Sequence, residues 1–171
     1  MGPGARGMLY DPREGQAVEV ARRFTDLAPK YGLTAITETS EDPAHDLPAL
    51  QKLLDRGARV LYLPPTGGAA RYAPLLLSWG REWRVMVVSS HAEADARGAL
   101  LRVALDYGAI GREAASLARR VLAGEKPAQI PITEKMPLQI EVDESLLRHW
   151  SGYPGSPGKA RPAKEGSGPE R

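Results

Sequence analysis

Short apolar runs alternate along the chain with longer stretches in which apolar residues recur every three or four positions. Continuous or alternating apolar runs are typical of strands, whereas the 3.6-residue spacing is typical of helices. The pattern therefore predicts an α/β fold, with an open, mostly parallel five-stranded sheet and helices on both faces. The five predicted strands are residues 7–10, 33–39, 60–63, 84–88 and 100–105.

Helical patterns follow the predicted strands. Asp11 and Pro12 predict the start of the first helix, as N-cap and first helical residue, and Gly32 predicts its end. Residues 138–142 are predicted to be extended. Further helices are predicted at 46–57, 70–83 and 110–124, with a short one near 145–150.

The last 21 residues differ in composition from the rest of the chain. The 171 residues carry 23 Lys+Arg and 21 Asp+Glu, and the segment 151–171 holds four of the cations and two of the anions. Nine of its residues are Gly or Pro, and few are apolar, which predicts a disordered tail. We therefore expect a flexible N-terminus over residues 1–6, an α/β unit over 7–150 and a disordered basic tail over 151–171.

This division removes the argument for a nucleic-acid partner. The whole net charge of +2 lies in the predicted tail, and residues 1–150 are electrically neutral. The chain has no cysteine, which excludes disulfides and thiolate chemistry. The first residues lack the apolar core of an export signal, and no apolar run is long enough to cross a membrane. As written, the chain is therefore expected to stay in the cytoplasm.

The familiar enzyme patterns are absent from the sequence. The turn after the first predicted strand has no G-x-G-x-x-G, and neither a lysine phosphate loop nor a G-x-S-x-G turn occurs elsewhere. The three histidines are scattered, without the spacing of metal ligands. We therefore predict a protein that is not an enzyme and that holds no metal or cofactor.

The loops that follow the strands are the expected place for a ligand, because open α/β sheets bind ligands beyond the carboxyl ends of their strands. Hydroxyls and the backbone amides of the turn at 66–68 would orient polar groups of a ligand, and tyrosines would wall the cleft. Each residue also has a structural interpretation, as a helix cap or a rim residue. The candidate ligand-binding residues are Tyr10, Asp11, Thr66, Ser89, Ser90, Asp106 and Tyr107.

The segment from Gly98 onward carries the most specific pattern. A predicted strand ends in Asp106-Tyr107, the next helix begins near Gly111-Arg112, and that helix closes with residues 124–128, Gly-Glu-Lys-Pro-Ala, before Ile130-Pro131. This pattern closely resembles the C-terminal lobe of solute-binding proteins of bacterial ABC transporters, in the family of uncharacterised and aromatic-amino-acid-type binders.

The beginning of the chain resembles the same family. Residues 10–12, Tyr-Asp-Pro, are similar to the Tyr-Asn-Pro that ends the family's corresponding strand, and residues 64–66 resemble its third-strand loop. Gly67 and Gly68 stand where the family usually has an Asp or Asn next to the threonine. The resemblance covers residues 7–150.

The resemblance implies one periplasmic-binding-protein-like lobe of a two-lobed clamshell. Such a clamshell closes on a small molecule, here an amino acid or a small organic anion, and delivers it to an ABC permease. The family is extracytoplasmic, whereas this chain shows neither the export signal nor the first lobe. We therefore expect a single lobe, truncated or completed by a first-lobe partner chain, whose ligand is held by only half of the usual contacts.

Two other functions remain open at this point. The chain could be a free-standing interaction module that homodimerises through the surface that a first lobe would cover. It could also be a small enzyme that uses Asp11, Ser90 or Asp106. The apolar contacts of the homodimer would come from Leu138, Ile140, Val142, Leu146, Leu147 and Trp150.

Overall fold

The computed structural model describes residues 5–82, 85–91, 98–132 and 135–150. Residues 149 and 150 are described by their backbone alone. The predicted tail at 151–171 lies outside these ranges, and so does the predicted contact of the Trp150 side chain. Residues 5 and 6, predicted to belong to a flexible N-terminus, are part of the first strand. Within the described ranges, no helix combines the length and apolar content that crossing a lipid bilayer requires.

The strands form one sheet in the order β2-β1-β3-β4-β5-β6. Neighbouring strands from β2 to β5 are parallel, and β6 pairs antiparallel with β5. The strands are β1 (Ala5–Tyr10), β2 (Ala35–Thr39), β3 (Ala58–Leu63), β4 (Met86–Ser89), β5 (Leu101–Leu105) and β6 (Leu138–Val142).

Five helices accompany the sheet within the described residues. Short 3-10 turns lie at Ala28–Tyr31 and Pro127–Gln129. The helices are α1 (Gly15–Leu27), α2 (Pro43–Asp55), α3 (Ala69–Glu82), α4 (Tyr107–Leu122) and α5 (Glu144–Trp150).

The predicted α/β class and the mostly parallel sheet are confirmed, and the sheet has six strands rather than five. The additional strand is the segment 138–142, which was predicted only to be extended. The chain returns from α4 beside β5, so that the two strands pair in antiparallel register from Leu105 with Leu138 to Leu101 with Val142. Arg102 of β5 and Glu141 of β6 reinforce this pairing with a 2.6 Å ion pair.

Three predicted helix starts are wrong by three residues, and each error involves an aspartate. The helix predicted at 110 begins at Tyr107, because Asp106 caps it. Asp11 does not cap α1, because its carboxylate accepts hydrogen bonds from Arg13 instead, and α1 begins only at Gly15. The second helix begins at Pro43, three residues before the predicted start. Asp42 caps it by accepting hydrogen bonds from the backbone N–H groups of Ala44 and His45.

Alternate residues of β3 show that helices cover both faces of the central sheet. Tyr62 lies on the α1 side, where its ring stacks on Phe24 with 5.8 Å between centroids. Leu61 and Leu63 point to the other side, into the main hydrophobic core. The core residues that α2, α3 and β4 contribute there include Leu50, Leu53, Tyr72, Leu76 and Val87. Both faces of the central strands are therefore closed, and the loops beyond the strand ends are the accessible edge.

Candidate functional site

The buried polar side chains of the described residues gather at one edge of the sheet. Four of them follow or end strands at the carboxyl edge, and the fifth lies in the first turn of α2. Burying a polar group is unfavourable unless it is hydrogen-bonded, so such a concentration needs a structural or a functional reason. The five residues are Asp11, Ser40, Asp46, Thr66 and Ser89, which we call the polar edge.

The strand register brings the loops of this edge to a common level. Tyr10 lies opposite Thr39 in the β1–β2 ladder, and the backbone N–H of Ser40 donates to the Tyr10 carbonyl at 3.0 Å. On the other side, the N–H of Ser90 donates to the Leu63 carbonyl at 2.9 Å. The ends of β1, β2, β3 and β4 therefore form one continuous edge.

Asp11 is buried at the centre of this edge between two arginines. Its carboxylate accepts hydrogen bonds from the backbone N–H of Arg13 at 2.9 Å and from the Arg13 guanidinium at 2.7 and 3.0 Å. The guanidinium of Arg71 lies 3.5 Å from the same carboxylate. The hydrogen bonds from the Arg13 side chain and backbone hold the pKa of Asp11 well below its usual range. Asp11 is therefore a fixed carboxylate at the carboxyl end of β1.

Arg71 connects Asp11 to the β2–α2 loop. Its guanidinium donates to both oxygens of the Asp46 carboxylate, at 2.8 and 3.0 Å, and to the Ser40 carbonyl at 3.0 Å. The hydroxyl of Ser40 donates to Asp46 Oδ1 at 2.6 Å. The bidentate contact fixes the orientation of Arg71. One arginine of α3 thus ties together the loops that follow β1 and β2.

The turn at Thr66, Gly67 and Gly68 faces a carboxylate of this chain. A Cβ atom added at Gly67 or Gly68 would lie 3.3 or 3.1 Å from Oε1 of Glu14, and the one at Gly68 would also lie 3.1 Å from Asp11 Cβ. The two glycines therefore let the β1–α1 loop approach the N-terminus of α3, where a negative charge is favourable. The turn was predicted to offer its amides to a ligand, and a ligand carboxylate would have to share this place with Glu14.

Ser89, Ser90 and His91 form the β4 part of the edge. Ser89 Oγ accepts a 3.2 Å hydrogen bond from the His91 backbone N–H. Burial raises the pKa of Tyr62, and its hydroxyl is hydrogen-bonded to Ser90. The Nδ1 atom of His91 is buried, and no group in the described part of the chain pairs with it. His91 was not among the predicted residues, and its ring adds a polar group without a partner to this edge.

Asp106 and Tyr107 lie apart from the other candidates. Ser89 pairs with Arg102 in the β4–β5 ladder, and Asp106 comes four residues after Arg102. At about 3.3 Å per residue, Asp106 therefore lies roughly 13 Å beyond the level of Ser89, measured along the strand direction. Its carboxylate caps α4 by accepting from the Ala109 N–H at 2.8 Å, and Tyr107 is 65% exposed. The structure therefore groups Tyr10, Asp11, Thr66, Ser89 and Ser90, and it separates the other two predicted residues from them.

Four residues of this site were not among the predicted ones: Ser40, Asp46, Arg71 and Glu14. Asp46 and Arg71 are 25 residues apart on different helices, and no local pattern joins them. An available signal was the Asp42-Pro43 pair, which starts α2 and places Asp46 in its first turn beside the β2 end. That the buried Asp46 carboxylate meets a half-buried guanidinium at this edge follows only from the order of the strands in the sheet.

Replacing Asp11 by asparagine should flatten the pH dependence of stability in acid. The folded pKa of Asp11 is lowered from an ordinary value of 3.8, so its contribution is complete above that value and is lost as the pH falls through the folded pKa. Wild type should therefore lose unfolding free energy more steeply than Asp11→Asn below about pH 4. Urea unfolding at a series of acidic pH values measures both slopes. Parallel curves for the two proteins would show that Asp11 is not held as described.

A protein-family model matches most of the chain. A family described as ABC transporter substrate binding protein matches residues 3–149. A curated tyrosine-binding protein from Clostridioides difficile (strain R20291) is 23% identical over 142 residues, which are 83% of this chain and 41% of that protein. The chain thus spans less than half the length of this relative.

Solved structures share the fold. The ligand-free, open structure of a substrate-binding protein with adhesive properties from Clostridium difficile superposes with a TM-score of 0.71 at 20% identity, over 85% of this chain and 49% of that chain. An ABC domain from Streptococcus pneumonia in complex with L-Trp gives a TM-score of 0.64 at 19% identity, over 85% of this chain and 51% of that chain. The six-stranded unit therefore corresponds in extent to about half of these proteins.

Proposed function

Because the chain belongs to the ABC transporter substrate-binding protein family, we propose that its α/β unit is one wall of a small-molecule site located at the polar edge. The observation that carries the proposal is the gathering of buried polar side chains where β1, β2, β3 and β4 end. In an open α/β sheet this is the edge at which ligands bind. An ABC permease is the proposed partner to which the ligand would pass.

The charges at the polar edge favour a ligand with an amino group. Arg13 and Arg71 are already engaged by the carboxylates of Asp11 and Asp46. An anionic ligand would have to compete with these internal carboxylates. An ammonium group instead meets a net negative charge, because Glu14 beside the Gly67–Gly68 turn adds a third carboxylate to the two arginines. The related proteins described as tyrosine-binding and as bound to L-Trp agree with an amino acid. We therefore propose an amino acid with an aromatic side chain rather than a small organic anion.

Affinity should be modest for the chain by itself. Clamshell binders enclose their ligand between two lobes, and one lobe supplies only part of the contacts and of the desolvation. The proposed chemistry is recognition of a ligand without covalent change. The Ser90 hydroxyl and the His91 ring would form hydrogen bonds with the ligand, and Tyr10 would border the site.

Isothermal calorimetry with L-tyrosine and L-tryptophan tests the proposal, with succinate as the anionic control. We expect dissociation constants in the micromolar to millimolar range for the amino acids and no heat with succinate. Ser90→Ala should weaken amino-acid binding about two- to tenfold, the value of one hydrogen bond. Ser78→Ala is the matched control, because in the described part of the chain its hydroxyl donates only to the Leu75 carbonyl of the same helix.

Three results would contradict parts of this proposal. Submicromolar binding by the monomeric chain would refute the half-site. Stronger binding of succinate than of either amino acid would refute the assignment of the ligand class. Equal effects of Ser90→Ala and Ser78→Ala would place the ligand away from the polar edge.

A further inference from the structure

The strand β6 lies at one end of the sheet and carries an exposed apolar row. Leu138, Ile140 and Val142 alternate along it and are 57, 64 and 49% exposed. The strand at the opposite end, β2, differs, because its Glu38 is ion-paired with Lys52 of α2 and with Arg56, the residue after that helix. Charged groups commonly protect an edge strand from pairing with another chain. The apolar row of β6 does not give its edge the protection that the charged cluster gives to β2.

The backbone register shows which groups of β6 point away from the sheet. The Asp143 N–H donates to the Leu100 carbonyl at 3.0 Å, and the Asp106 N–H donates to the Pro137 carbonyl at 2.9 Å. In an antiparallel ladder, hydrogen-bonded pairs alternate, so Pro137, Gln139, Glu141 and Asp143 direct their backbone groups toward β5. Leu138, Ile140 and Val142 therefore direct their N–H and C=O groups away from β5. Within the described chain the sheet ends there, and no further strand receives these groups.

We propose that β6 pairs antiparallel with β6 of a second copy of this chain, about a two-fold axis at Ile140. In this register Ile140 lies opposite Ile140 of the second copy, and Leu138 lies opposite Val142. All three residues have outward backbone groups, so each pair exchanges both of its hydrogen bonds. A two-fold interface uses the same surface on both copies, and a strand paired with itself in antiparallel sense satisfies that condition.

Charges support this register over its neighbours. Gln139 faces Glu141 of the second copy, so an amide meets a carboxylate, and Glu141 is already paired with Arg102. Moving the axis to Glu141 would set two glutamates against each other, which is unfavourable. Moving it to Gln139 would remove one pair of outward residues from the ladder.

The apolar row also becomes continuous across the two copies. Leu138, Ile140 and Val142 pair with Leu105, Val103 and Leu101 of β5, so one face of the β5–β6 pair is apolar throughout. Pairing two such edges places Ile140 beside Ile140 and Leu138 beside Val142. Side chains that lie opposite each other on neighbouring strands stabilise the pairing, and β-branched residues do so well.

The proposed pairing uses only the backbone groups of β6 that point away from β5. Amide hydrogen exchange, measured by NMR at several concentrations of the whole chain, tests this alternation of inward and outward groups. We expect the exchange of the Leu138, Ile140 and Val142 amides to slow as the concentration rises from low micromolar to near millimolar. The Gln139 and Glu141 amides, bonded to β5, should be protected equally at all concentrations. Sedimentation equilibrium over the same range should show a shift from monomer to dimer. A monomer at every concentration, or protection that rises equally at odd and even positions, would overturn the proposal.

Two substitutions at one position separate backbone pairing from apolar adhesion. Ile140→Pro removes an outward N–H and leaves the bonds to β5 intact, and prolines are found on such edges. Ile140→Thr removes much of the apolar side chain and keeps the N–H and the preference for strands. We expect Ile140→Pro to abolish the dimer and Ile140→Thr to retain it with weaker association. Equal loss in both variants would show that side-chain contact, and not strand pairing, holds the copies together. If Ile140→Pro does not fold, the exchange pattern of the wild type decides.

Discussion

Replacing Arg71 by methionine is expected to lower the free energy of unfolding by about 3–5 kcal/mol, the cost of breaking a buried ion pair by removing one partner. The guanidinium is the hydrogen-bonded counter-charge of Asp46 and lies 3.5 Å from Asp11. Its removal leaves the Asp46 carboxylate buried with the Ser40 hydroxyl as the only remaining donor among the described residues. Chemical denaturation at neutral pH measures the loss.

Arg22→Met is the matched control for this prediction. Arg22 also contacts two carboxylates, those of Glu19 and Asp26, but its side chain is 60% exposed, against 22% for Arg71. Exposed ion pairs contribute at most about 1 kcal/mol, so the same substitution should cost far less there. The double variant Arg71→Met with Asp46→Asn should recover part of the loss, because the unpaired charge is then absent. Similar losses at Arg71 and Arg22 would contradict the buried network.

The same network fixes the positions of the loops at the polar edge. Arg71 is anchored in α3, which packs in the core through Tyr72 and Leu76, and it reaches the loops after both β1 and β2. Tyr72 adds a second tie, since its hydroxyl donates to the Leu9 carbonyl at 2.6 Å. The loops at this edge therefore take their positions from the helix core and do not require a bound molecule to order them.

The fold was predictable where its signals are local. Apolar runs such as 60–63 and 84–88 are continuous because both faces of these strands are covered, and the structure confirms them within the described residues. The resemblance to the substrate-binding family, which the motifs near Asp106 and Gly124 carried, is also confirmed. The sixth strand was missed because its partner lies more than 30 residues earlier, and an antiparallel return after α4 leaves no local signature.

The candidate site was predictable only in part. Strand ends can be located from the sequence, and five of the seven predicted residues do lie at one edge. Asp106 and Tyr107 were grouped with them on the assumption that all strands end at the same level. β5 instead extends past β4 by several residues, because β6 pairs with it along its whole length. The Asp46–Arg71 pair depends on the sheet order β2-β1-β3, which the sequence pattern does not specify.

Replacing Gly80 by alanine is expected to destabilise the fold by about 3 kcal/mol or more, since overpacking against a rigid partner is unfavourable. A Cβ atom at Gly80 of α3 would lie 2.0 Å from the carbonyl oxygen of Gly98, which is backbone and cannot rotate away. Gly98 itself has a φ of 109°, and a Cβ there would lie 2.2 Å from the Leu77 carbonyl oxygen. The two glycines thus let the segment before β5 pack directly on α3. Alanine would push this segment away from α3, and with it the β5–β6 pair away from β4.

Gly111→Ala is the control that makes this prediction specific. Gly111 lies within α4, where a Cβ atom would meet nothing within 4 Å beyond the backbone of its own helix and its chain neighbours. Alanine in an open helical position should stabilise the chain by about 0.5–1 kcal/mol, because it lowers the entropy of the unfolded state. The same substitution should therefore change the thermal midpoint in opposite directions at the two positions. A small effect at Gly80 would show that α3 and the segment at Gly98 are not packed backbone to backbone. In that case the β5–β6 pair, and the exposed edge that β6 presents, would not be held in the place that the dimer requires.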